Sequence, residues 1–390
     1  MAPKEKLASQ MSADLINAYS SDGFVYVGRA QLASHPHTHH HPDNSSSSSS
    51  TGSKESSRNS SNGGQQAAGS FSLGKVLPSW VSAVRFTPQG HVYVAKELSS
   101  QQQHQNADAA DLSIRPQVPA AATRRRLAAS SSRGSSSRRL GPAAAAELPP
   151  ADSLQQRGRH LNIMVGTDER QVCPLGPSYP FSAIGQIDFE EAGTPYICSG
   201  ALISRRRVLT AAHCVWDVES QSFVDMLSFA PGRFRGVGGK MVNPYGEFKW
   251  AHATLMKNYL TSDEAQGDIA VVQLADPAPR AAGTLGLRAN CVDDNSVQVT
   301  TAGYPSDQQE GECMTTQCTV RFDCQRESTR HKCDTYMGQS GSSFWDGDYY
   351  IRGVHVRGLI DEEVNEFTTL SRRVLAKIRE WEGREKGGVL

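Results

Sequence analysis

The sequence predicts an all-β fold for the part of the chain that begins near residue 162. Short β-prone segments follow one another there and are separated by turn-forming residues. These segments are 196–203, 207–211, 268–274, 297–302, 349–356 and 368–370. Many short strands punctuated by turns are typical of a β-barrel or a β-sandwich. We therefore expect strands, rather than helices, to build the core of this region.

The C-terminal segment departs from this pattern, because its apolar residues repeat with helical spacing. Ser371 is a suitable N-cap for such a helix, and Gly383 is a suitable end. The apolar residues that share one helical face are Leu370, Val374, Leu375, Ile378 and Trp381. The sequence thus predicts a single helix behind the strands.

The first 161 residues have the composition of a largely disordered region. Serine and other small or polar residues dominate it, and residues 99–161 are rich in Ala, Ser, Gln and Arg. Such segments cannot bury enough apolar surface to form a core. We therefore divide the chain into an N-terminal region (1–98), a linker (99–161) and a folded domain (162–390). Within 1–98, β-prone runs predict a strand at 24–27 and a hairpin over 80–94.

Overall charge and hydropathy exclude some classes of function. The chain has 40 Lys and Arg and 40 Asp and Glu, so its formal net charge is zero and nothing in it indicates a nucleic-acid partner. No run of about 18 apolar residues is present, so we expect no membrane span. The first 30 residues lack the apolar stretch of a signal peptide, because Asp14, Asp22 and several serines interrupt it.

The cysteines indicate an oxidising compartment. All eight lie in the predicted folded domain, and an even number confined to one domain predicts a disulfide framework. We therefore expect an extracellular or secretory-pathway protein, although no signal peptide is visible. The cysteines are Cys173, Cys198, Cys214, Cys291, Cys313, Cys318, Cys324 and Cys333.

Three separated motifs contain the side chains that acyl transfer requires. Gly338-Gln-Ser340-Gly341 places a hydroxyl in a tight turn, where main-chain N–H groups converge. His213 ends the run Thr-Ala-Ala-His, and Asp268 begins the run Asp-Ile-Ala-Val. A histidine base, a carboxylate that orients it and a serine nucleophile form a Ser-His-Asp triad. We interpret Ser340, His213 and Asp268 as candidates for these roles.

These motifs, in this order, resemble those of the chymotrypsin-fold (trypsin-like) serine proteases. The segment 163–170, the Thr-Ala-Gly-Tyr-Pro run at 301–305 and the Cys-Asp-Thr-Tyr run at 333–336 are similar to the bacterial glutamyl endopeptidases, the V8-like branch. The resemblance implies two six-stranded antiparallel β-barrels, roughly 163–285 and 286–370, with the terminal helix on the second. It implies a serine endopeptidase that acts on protein or peptide substrates and requires no cofactor or metal. The oxyanion hole would be formed by the N–H groups of Gly338 and Ser340.

The same resemblance suggests a preference for Glu, or Asp, before the scissile bond. In the glutamyl branch a histidine and a hydroxyl line the primary pocket, and His355 and Thr335 occupy those positions here. The substrate chain would lie against Val356–Gly358. Two alternatives remain: Asp334 near the pocket base would suit Lys or Arg, and a protease-like scaffold can serve as a non-catalytic binding module. The sequence does not indicate an oligomeric state.

The route of activation departs from that of trypsin-like enzymes. Those enzymes have an aspartate before the nucleophile, which pairs with a newly freed N-terminus, whereas Gln339 stands here. Arg126, Arg139 and Arg159 in the linker are candidate maturation sites, because exposed linkers are readily cut. In that case residues 1–98 would be a pro-segment of a zymogen. The alternative is a solvated basic linker.

The resemblance assigns one disulfide, Cys198–Cys214, around the histidine loop. For the remaining cysteines we expect Cys324–Cys333 beside the nucleophile loop, Cys173–Cys291 between the N-terminal segment and the segment that connects the two barrels, and Cys313–Cys318. Eight cysteines allow 105 pairings, so only Cys198–Cys214 follows from a motif.

Overall fold

A computed structural model describes residues 24–29, 77, 79, 81–96, 113–120, 163–174, 178–191, 193–289, 296–322 and 326–381. The candidate maturation sites Arg126, Arg139 and Arg159, the helix end at Gly383, and the cysteines Cys291 and Cys324 lie outside these residues.

The described residues form 21 strands and one α-helix, with short 3-10 turns between them. The strands that precede residue 163 are β1 (Phe24–Arg29), β2 (Val81–Phe86) and β3 (His91–Lys96). The strands of the next part are β4 (Gln171–Val172), β5 (Ile184–Glu191), β6 (Thr194–Ser204), β7 (Arg207–Thr210), β8 (Trp216–Asp217), β9 (Ser222–Phe223), β10 (Asp225–Pro231), β11 (Phe234–Arg235), β12 (Met241–Val242), β13 (Phe248–Met256) and β14 (Ala270–Leu274).

The C-terminal part contains the remaining strands and the helix. They are β15 (Gly286–Leu287), β16 (Ser296–Gly303), β17 (Met314–Arg321), β18 (Ser328–His331), β19 (Ser343–Trp345), β20 (Tyr350–Leu359), β21 (Val364–Thr369) and α1 (Arg372–Trp381).

The first barrel closes through six antiparallel strands. Their order is β13-β10-β5-β6-β7-β14, and β14 pairs with β13 to complete the ring. The ladder from Trp250↔Leu274 to Leu255↔Ala270 makes this closure, with a bulge that bends β13 between Trp250 and His252. Alternate inward-facing residues, such as Leu202, Val208 and Phe229, are fully buried inside it.

The second half of the domain is a sheet that curls around its own core. The order of its main strands is β18-β21-β20-β19-β16-β17; β4 extends the edge beside β17, and β15 pairs with the start of β20. Among the described residues β17 and β18 share no ladder, so this half is a half-barrel rather than a closed ring. Val299, Val320, Phe344 and Phe367 form its separate apolar core. The expected two-barrel chymotrypsin-like architecture is therefore confirmed.

Helix α1 forms as the apolar spacing predicts. Val374, Leu375, Ile378 and Trp381 are buried, and the Ser371 hydroxyl accepts a hydrogen bond from the N–H of Val374 at 3.1 Å. This is an N-cap bond of the kind that stabilises a helix start. No helix in the described part of the chain has the length and apolar character that crossing a membrane requires.

The strands of the N-terminal region join the first barrel. β2 pairs with β13 from Ala253↔Phe86 to Met256↔Ala83, and β3 and β1 extend the sheet to nine strands. β10 covers β13 only at Ser228↔Lys249 and Phe229↔Phe248, so β2 covers an edge that the barrel leaves unpaired. The predicted hairpin is thus part of the sheet.

The disulfides confirm one prediction and correct the others. Cys198 pairs with Cys214 as expected. Cys173 pairs with Cys313 and not Cys291, and Cys333 pairs with Cys318 and not Cys324, so the expected Cys313–Cys318 bond is also wrong. The reason is strand pairing: β4 lies beside β17, which brings Cys173 to Cys313, with the N–H of Cys173 donating to the Cys313 carbonyl at 2.7 Å.

Candidate active site

The predicted base, His213, and the predicted orienting carboxylate, Asp268, are in direct contact. His213 lies in the 3-10 turn Ala212–Cys214 that follows β7, and Asp268 lies just before β14, which pairs with β7. The Nδ1 atom of His213 is 2.7 Å from Oδ2 of Asp268, and the main-chain N–H of His213 donates to Oδ1 at 3.0 Å. Asp268 is 1% exposed. Both carboxylate oxygens therefore hold the same histidine.

The serine turn packs against the segment that leads to this histidine. Gly341 has a φ of +84°, and a Cβ atom there would collide with the Thr210 hydroxyl and the Ser199 carbonyl. The carbonyl of Ser340 accepts a hydrogen bond from the Ser199 N–H at 2.8 Å and lies 3.7 Å from Sγ of Cys214, the neighbour of His213. Only glycine allows this approach at 341, so the turn joins the two halves of the domain.

The N–H groups on either side of Gln339 point away from the protein's own acceptors. The Met337 carbonyl accepts a bond from the Ser306 N–H at 2.7 Å, and in a trans peptide the N–H of Gly338 then points the opposite way. In the described chain, neither the Gly338 N–H nor the Ser340 N–H donates to a protein group. The Gly338 carbonyl is held by the Ser199 hydroxyl at 2.9 Å.

The predicted pocket residues lie behind the serine turn. The carbonyl of His355, in β20, accepts a bond from the Gly341 N–H at 2.9 Å, and the His355 N–H donates to the Ser342 carbonyl at 2.8 Å. His355 and Thr335 are both fully buried, and within the described residues the Thr335 hydroxyl and the His355 ring nitrogens make no hydrogen bond of good geometry. The structure thus buries both side chains, and it bonds the main chain of His355 directly to the serine turn.

His331 is a neighbour of the pocket that no motif indicated. Its ring centroid is 5.4 Å from that of His355, and its ring stacks on Phe367 at 5.5 Å. Burial lowers the pKa of His355 well below its usual range, and the nearby His331 and His213 act in the same direction. Burial also lowers the pKa of His331, to about 3. Both imidazoles are therefore neutral near pH 7.

The strand edge at Val356–Gly358 is available to a substrate chain. β20 pairs with β21 on one side, and its ladder with β19 on the other side ends at Val354↔Ser343. Within the described part of the chain no strand pairs with β20 beyond that point on the β19 side. An extended peptide can add to such an edge through main-chain hydrogen bonds.

The charged groups near the predicted pocket form hydrogen bonds or ion pairs with other groups of the protein. The Asp334 carboxylate accepts bonds from the N–H groups of Val165 and Glu169, both at 2.7 Å, and Asp334 is 2% exposed. Arg357 donates to Oε2 of Glu366 at 2.9 Å, and Arg352 pairs with Asp346 at 3.0 Å. Asp334 therefore anchors the N-terminal segment of the domain.

Two groups of three potential metal ligands occur among the described residues, and each contains a disulfide. They are Cys198, His213 and Cys214, and Cys318, His331 and Cys333. Metals bind the thiolate form of cysteine, which a disulfide removes. Each group therefore offers a metal one imidazole, which is not a site.

Comparison with known proteins identifies the family. The family model described as Trypsin matches residues 176–381, rather more than half of the chain, and the protein belongs to this family. A glutamyl endopeptidase of Bacillus licheniformis is 25% identical over 230 residues, which cover 57% of this chain and 69% of the relative. An extracellular metalloprotease of Bacillus subtilis is 25% identical over 225 residues, with 56% and 69% covered.

A solved structure agrees with the fold. The structure of a Glu endopeptidase in complex with MPD covers 56% of this chain and 98% of its own, with a TM-score of 0.51 and 22% identity. The chain is thus a serine endopeptidase of the chymotrypsin fold, as the motifs indicated, and the Bacillus licheniformis relative supports the resemblance to the glutamyl endopeptidase branch.

Proposed function

We propose that this protein cleaves peptide bonds through Ser340, His213 and Asp268, and that it does so after glutamate or aspartate. The observation that carries the catalytic part is the double contact of Asp268 with His213. The Nδ1 atom faces the carboxylate, so the proton resides there and Nε2 is the basic nitrogen. The serine turn packs on the same segment as this histidine.

In the proposed reaction His213 takes the hydroxyl proton as Ser340 attacks the scissile carbonyl. The developing oxyanion is stabilised by the N–H groups of Gly338 and Ser340. His213 then passes the proton to the leaving amine, and water releases the acyl group from Ser340 in a second, equivalent step. Asp268 stabilises the imidazolium that forms in each step.

Acidic specificity is supported by the two unengaged polar side chains beneath the serine turn. A neutral His355 provides one N–H donor and Thr335 provides a hydroxyl, and both suit a carboxylate. An entering carboxylate also favours the charged imidazole, so binding would raise the pKa of His355 and take up a proton. Lys or Arg specificity is less well supported, because Asp334 is already bonded to two main-chain N–H groups.

Secretion fits the same proposal. Three disulfides occur in the described residues, and the two Bacillus relatives include one described as extracellular. Disulfides persist in oxidising compartments. We expect extracellular protein or peptide substrates.

Two experiments test this function. A fluorophosphonate should label the wild type at Ser340 and should not label the His213→Ala variant; an unlabelled wild type would favour a binding module. A set of peptides that differ only in Glu, Gln, Asp, Lys or Phe before the scissile bond tests the pocket. We expect kcat/KM for Glu to exceed that for Gln by about 10²-fold, because the site binds a charge-assisted group. A preference for Lys over Glu would refute the acidic pocket.

A further inference from the structure

A buried arginine lies behind the nucleophile loop. The Arg170 side chain is 0% exposed and pairs with two more exposed carboxylates, those of Asp168 and Asp307. Its Nε donates to Oδ1 of Asp168 at 3.0 Å, and its Nη1 donates to Oδ1 of Asp307 at 3.1 Å. The guanidinium also reaches the loop itself, because Nη1 is 3.4 Å from Oε1 of Gln339. Arg170 therefore joins the segment 163–170 to the residue before Ser340.

Gln339 connects the Arg170 guanidinium to the main chain of the turn 336–339. Its Oε1 also accepts the N–H of Tyr336 at 2.9 Å, and its own N–H donates to the Tyr336 carbonyl at 2.9 Å. Gln339 is fully buried. A reversed amide would point its NH₂ group at two donors, the guanidinium and the Tyr336 N–H. Arg170 thus fixes the orientation of the amide, and the amide fixes the turn 336–339.

We propose that Arg170 is a positioning residue for the oxyanion hole, and that it replaces the freed N-terminus that pairs with an aspartate in trypsin-like enzymes. This inference depends on the proposed function. The Ser340 N–H belongs to the peptide group that follows Gln339, and the Gly338 N–H lies within the turn 336–339 that Gln339 closes through its two bonds with Tyr336. The directions of both proposed N–H donors therefore depend on how Gln339 is held. The Arg170 guanidinium is a side chain and not a chain terminus, so it reaches this position without cleavage of the backbone.

The neighbouring contacts agree with an anchor that requires no free terminus. The nitrogen of Ile163 is an ordinary amide here and donates to Oδ1 of Asn365 at 3.0 Å. Asp334 holds the N–H groups of Val165 and Glu169. The segment that carries Arg170 is therefore fixed on both sides of Gly166 while it remains attached to the residues before it.

The test compares Arg170→Met with Arg233→Met. Arg233 is a matched control, because it is also buried and pairs with two carboxylates, those of Asp188 at 2.7 Å and Glu247 at 3.3 Å, in the first half of the domain. For Arg170→Met we expect kcat to fall about 10²-fold to 10³-fold, the cost of losing an oxyanion donor, with KM within about threefold of the wild type. Arg233→Met should keep kcat.

A second readout separates positioning from simple destabilisation. A peptide aldehyde forms a tetrahedral oxyanion on Ser340, so its affinity should fall by the same factor as kcat in Arg170→Met. The corresponding peptide alcohol, in which CH₂OH replaces the aldehyde group, has no carbonyl and forms no oxyanion, so its affinity should stay unchanged. Arg170→Lys keeps the charge but not the planar fork, and it should restore part of kcat.

The Gln339 variants keep the inference testable if Arg170→Met does not fold. Gln339→Glu retains an acceptor for both donors and should remain active, whereas Gln339→Met should lose kcat. The double variant Arg170→Met/Gln339→Met should be no worse than the more severe single variant, because the two side chains act as one unit.

The outcomes distinguish this inference from the proposed function. An active wild type in which Arg170→Met behaves like Arg233→Met, or in which Gln339→Met keeps full kcat, overturns the role of Arg170 and leaves the serine protease assignment intact. A folded wild type that neither cleaves peptides nor reacts with a fluorophosphonate overturns both.

Discussion

In the proposed mechanism, Asp268 determines which nitrogen of His213 carries the proton. Its Oδ2 faces Nδ1 at 2.7 Å, while its Oδ1 accepts the main-chain N–H of the same residue at 3.0 Å. An amide in place of the carboxylate can keep one of these contacts, but it cannot stabilise an imidazolium. In the proposed reaction the position of the Asp268 side chain therefore orients His213, while its negative charge stabilises the imidazolium.

For Asp268→Asn we expect a fall in kcat of about 10⁴-fold with little change in the fold, because the amide favours the wrong tautomer of His213. Stopped-flow or steady-state hydrolysis of an ester and a peptide substrate measures this change, and circular dichroism checks the fold. A variant with more than a tenth of the wild-type kcat would show that Asp268 does not orient the base.

At this scale, motifs indicate the candidate residues that they contain, but not residues whose contacts come from distant segments. His213, Asp268 and Ser340 stand in recognisable local runs. Arg170 ends the run 163–170, but nothing in that run assigns it a role, and His331 stands in no recognised run. The surroundings of both come from distant segments: Asp307 and Gln339 for Arg170, and Phe344 and Phe367 for His331. In the sequence alone, an arginine two residues after Asp168 indicates an ordinary ion pair in solvent and not a buried one.

Strand pairing, rather than cysteine spacing, determined the disulfides. Cys318 lies in β17 and Cys333 lies directly before the loop that carries Asp334 and Thr335. The sequence separations of the two alternatives for Cys333, 9 and 15 residues, are both ordinary, so the sequence alone had no means to choose. The correct partner depends on which strand face Cys318 occupies, which is a property of the folded sheet.

For the double variant Cys318→Ala/Cys333→Ala we expect the free energy of unfolding to fall by about 3 kcal/mol, since the disulfide closes a loop of 15 residues. Urea denaturation of the wild type and the variant measures the loss. The fluorophosphonate reaction of the folded variant should be slower, because the pocket loop is less constrained. An unchanged denaturation midpoint would contradict a structural role for this bond.

Two buried histidines, His331 and His355, and the partly buried His252 make the stability of the molecule depend on pH. Burial lowers the pKa of His252 and of His331 to about 3, and it lowers that of His355 well below the usual range. In the unfolded chain each titrates near 6.5. Between about pH 6.5 and 3 the unfolded state therefore binds more protons, so stability is complete above pH 6.5 and is lost as the pH falls.

For His331→Phe we expect the free energy of unfolding to fall less steeply on acidification than in the wild type. The slope should be smaller by about 1.4 kcal/mol per pH unit within that window. Phenylalanine suits the site, because Phe344 and Phe367 already surround it. Denaturation of the wild type and the variant at pH 7, 6, 5 and 4.5 measures the slopes, and a histidine-to-phenylalanine change at the partly exposed His91 is the control. Equal slopes in all three proteins would refute the assignment.

The largest departure from the sequence-based picture concerns the N-terminal strands. The runs at 24–27 and 80–94 predicted a local strand and hairpin, but nothing in them identified β13 as their neighbour. That pairing arises because β10 leaves Ala253–Met256 uncovered, and the sequence does not show how far two distant strands stay paired. Phe86 then stacks on Phe223 with a centroid distance of 3.4 Å and meets Trp250 edge to face.

Arg85 ties these strands to the first barrel and to the end of α1, and this contact bears on whether residues 1–98 behave as a removable pro-segment. It is 8% exposed, its Nε donates to the Thr254 hydroxyl at 3.1 Å, and its Nη2 donates to the Trp381 carbonyl at the end of α1 at 2.9 Å. A strand held in this way is expected to stay bound after any cut further along the chain. No cysteine precedes Cys173, so the attachment would be non-covalent.

We therefore expect Arg85→Met to reduce the free energy of unfolding by about 1–3 kcal/mol, because the Thr254 hydroxyl and the Trp381 carbonyl lose a charged donor. A chain that starts at residue 99 should be less soluble and lose still more stability, since the edge of β13 and the rings of Phe223 and Trp250 become exposed. Thermal denaturation and size-exclusion chromatography of both variants measure these effects. A removable pro-segment predicts the opposite: the shortened chain would keep its melting temperature and gain activity toward peptides, and that result would show that β2 covers the barrel only until maturation.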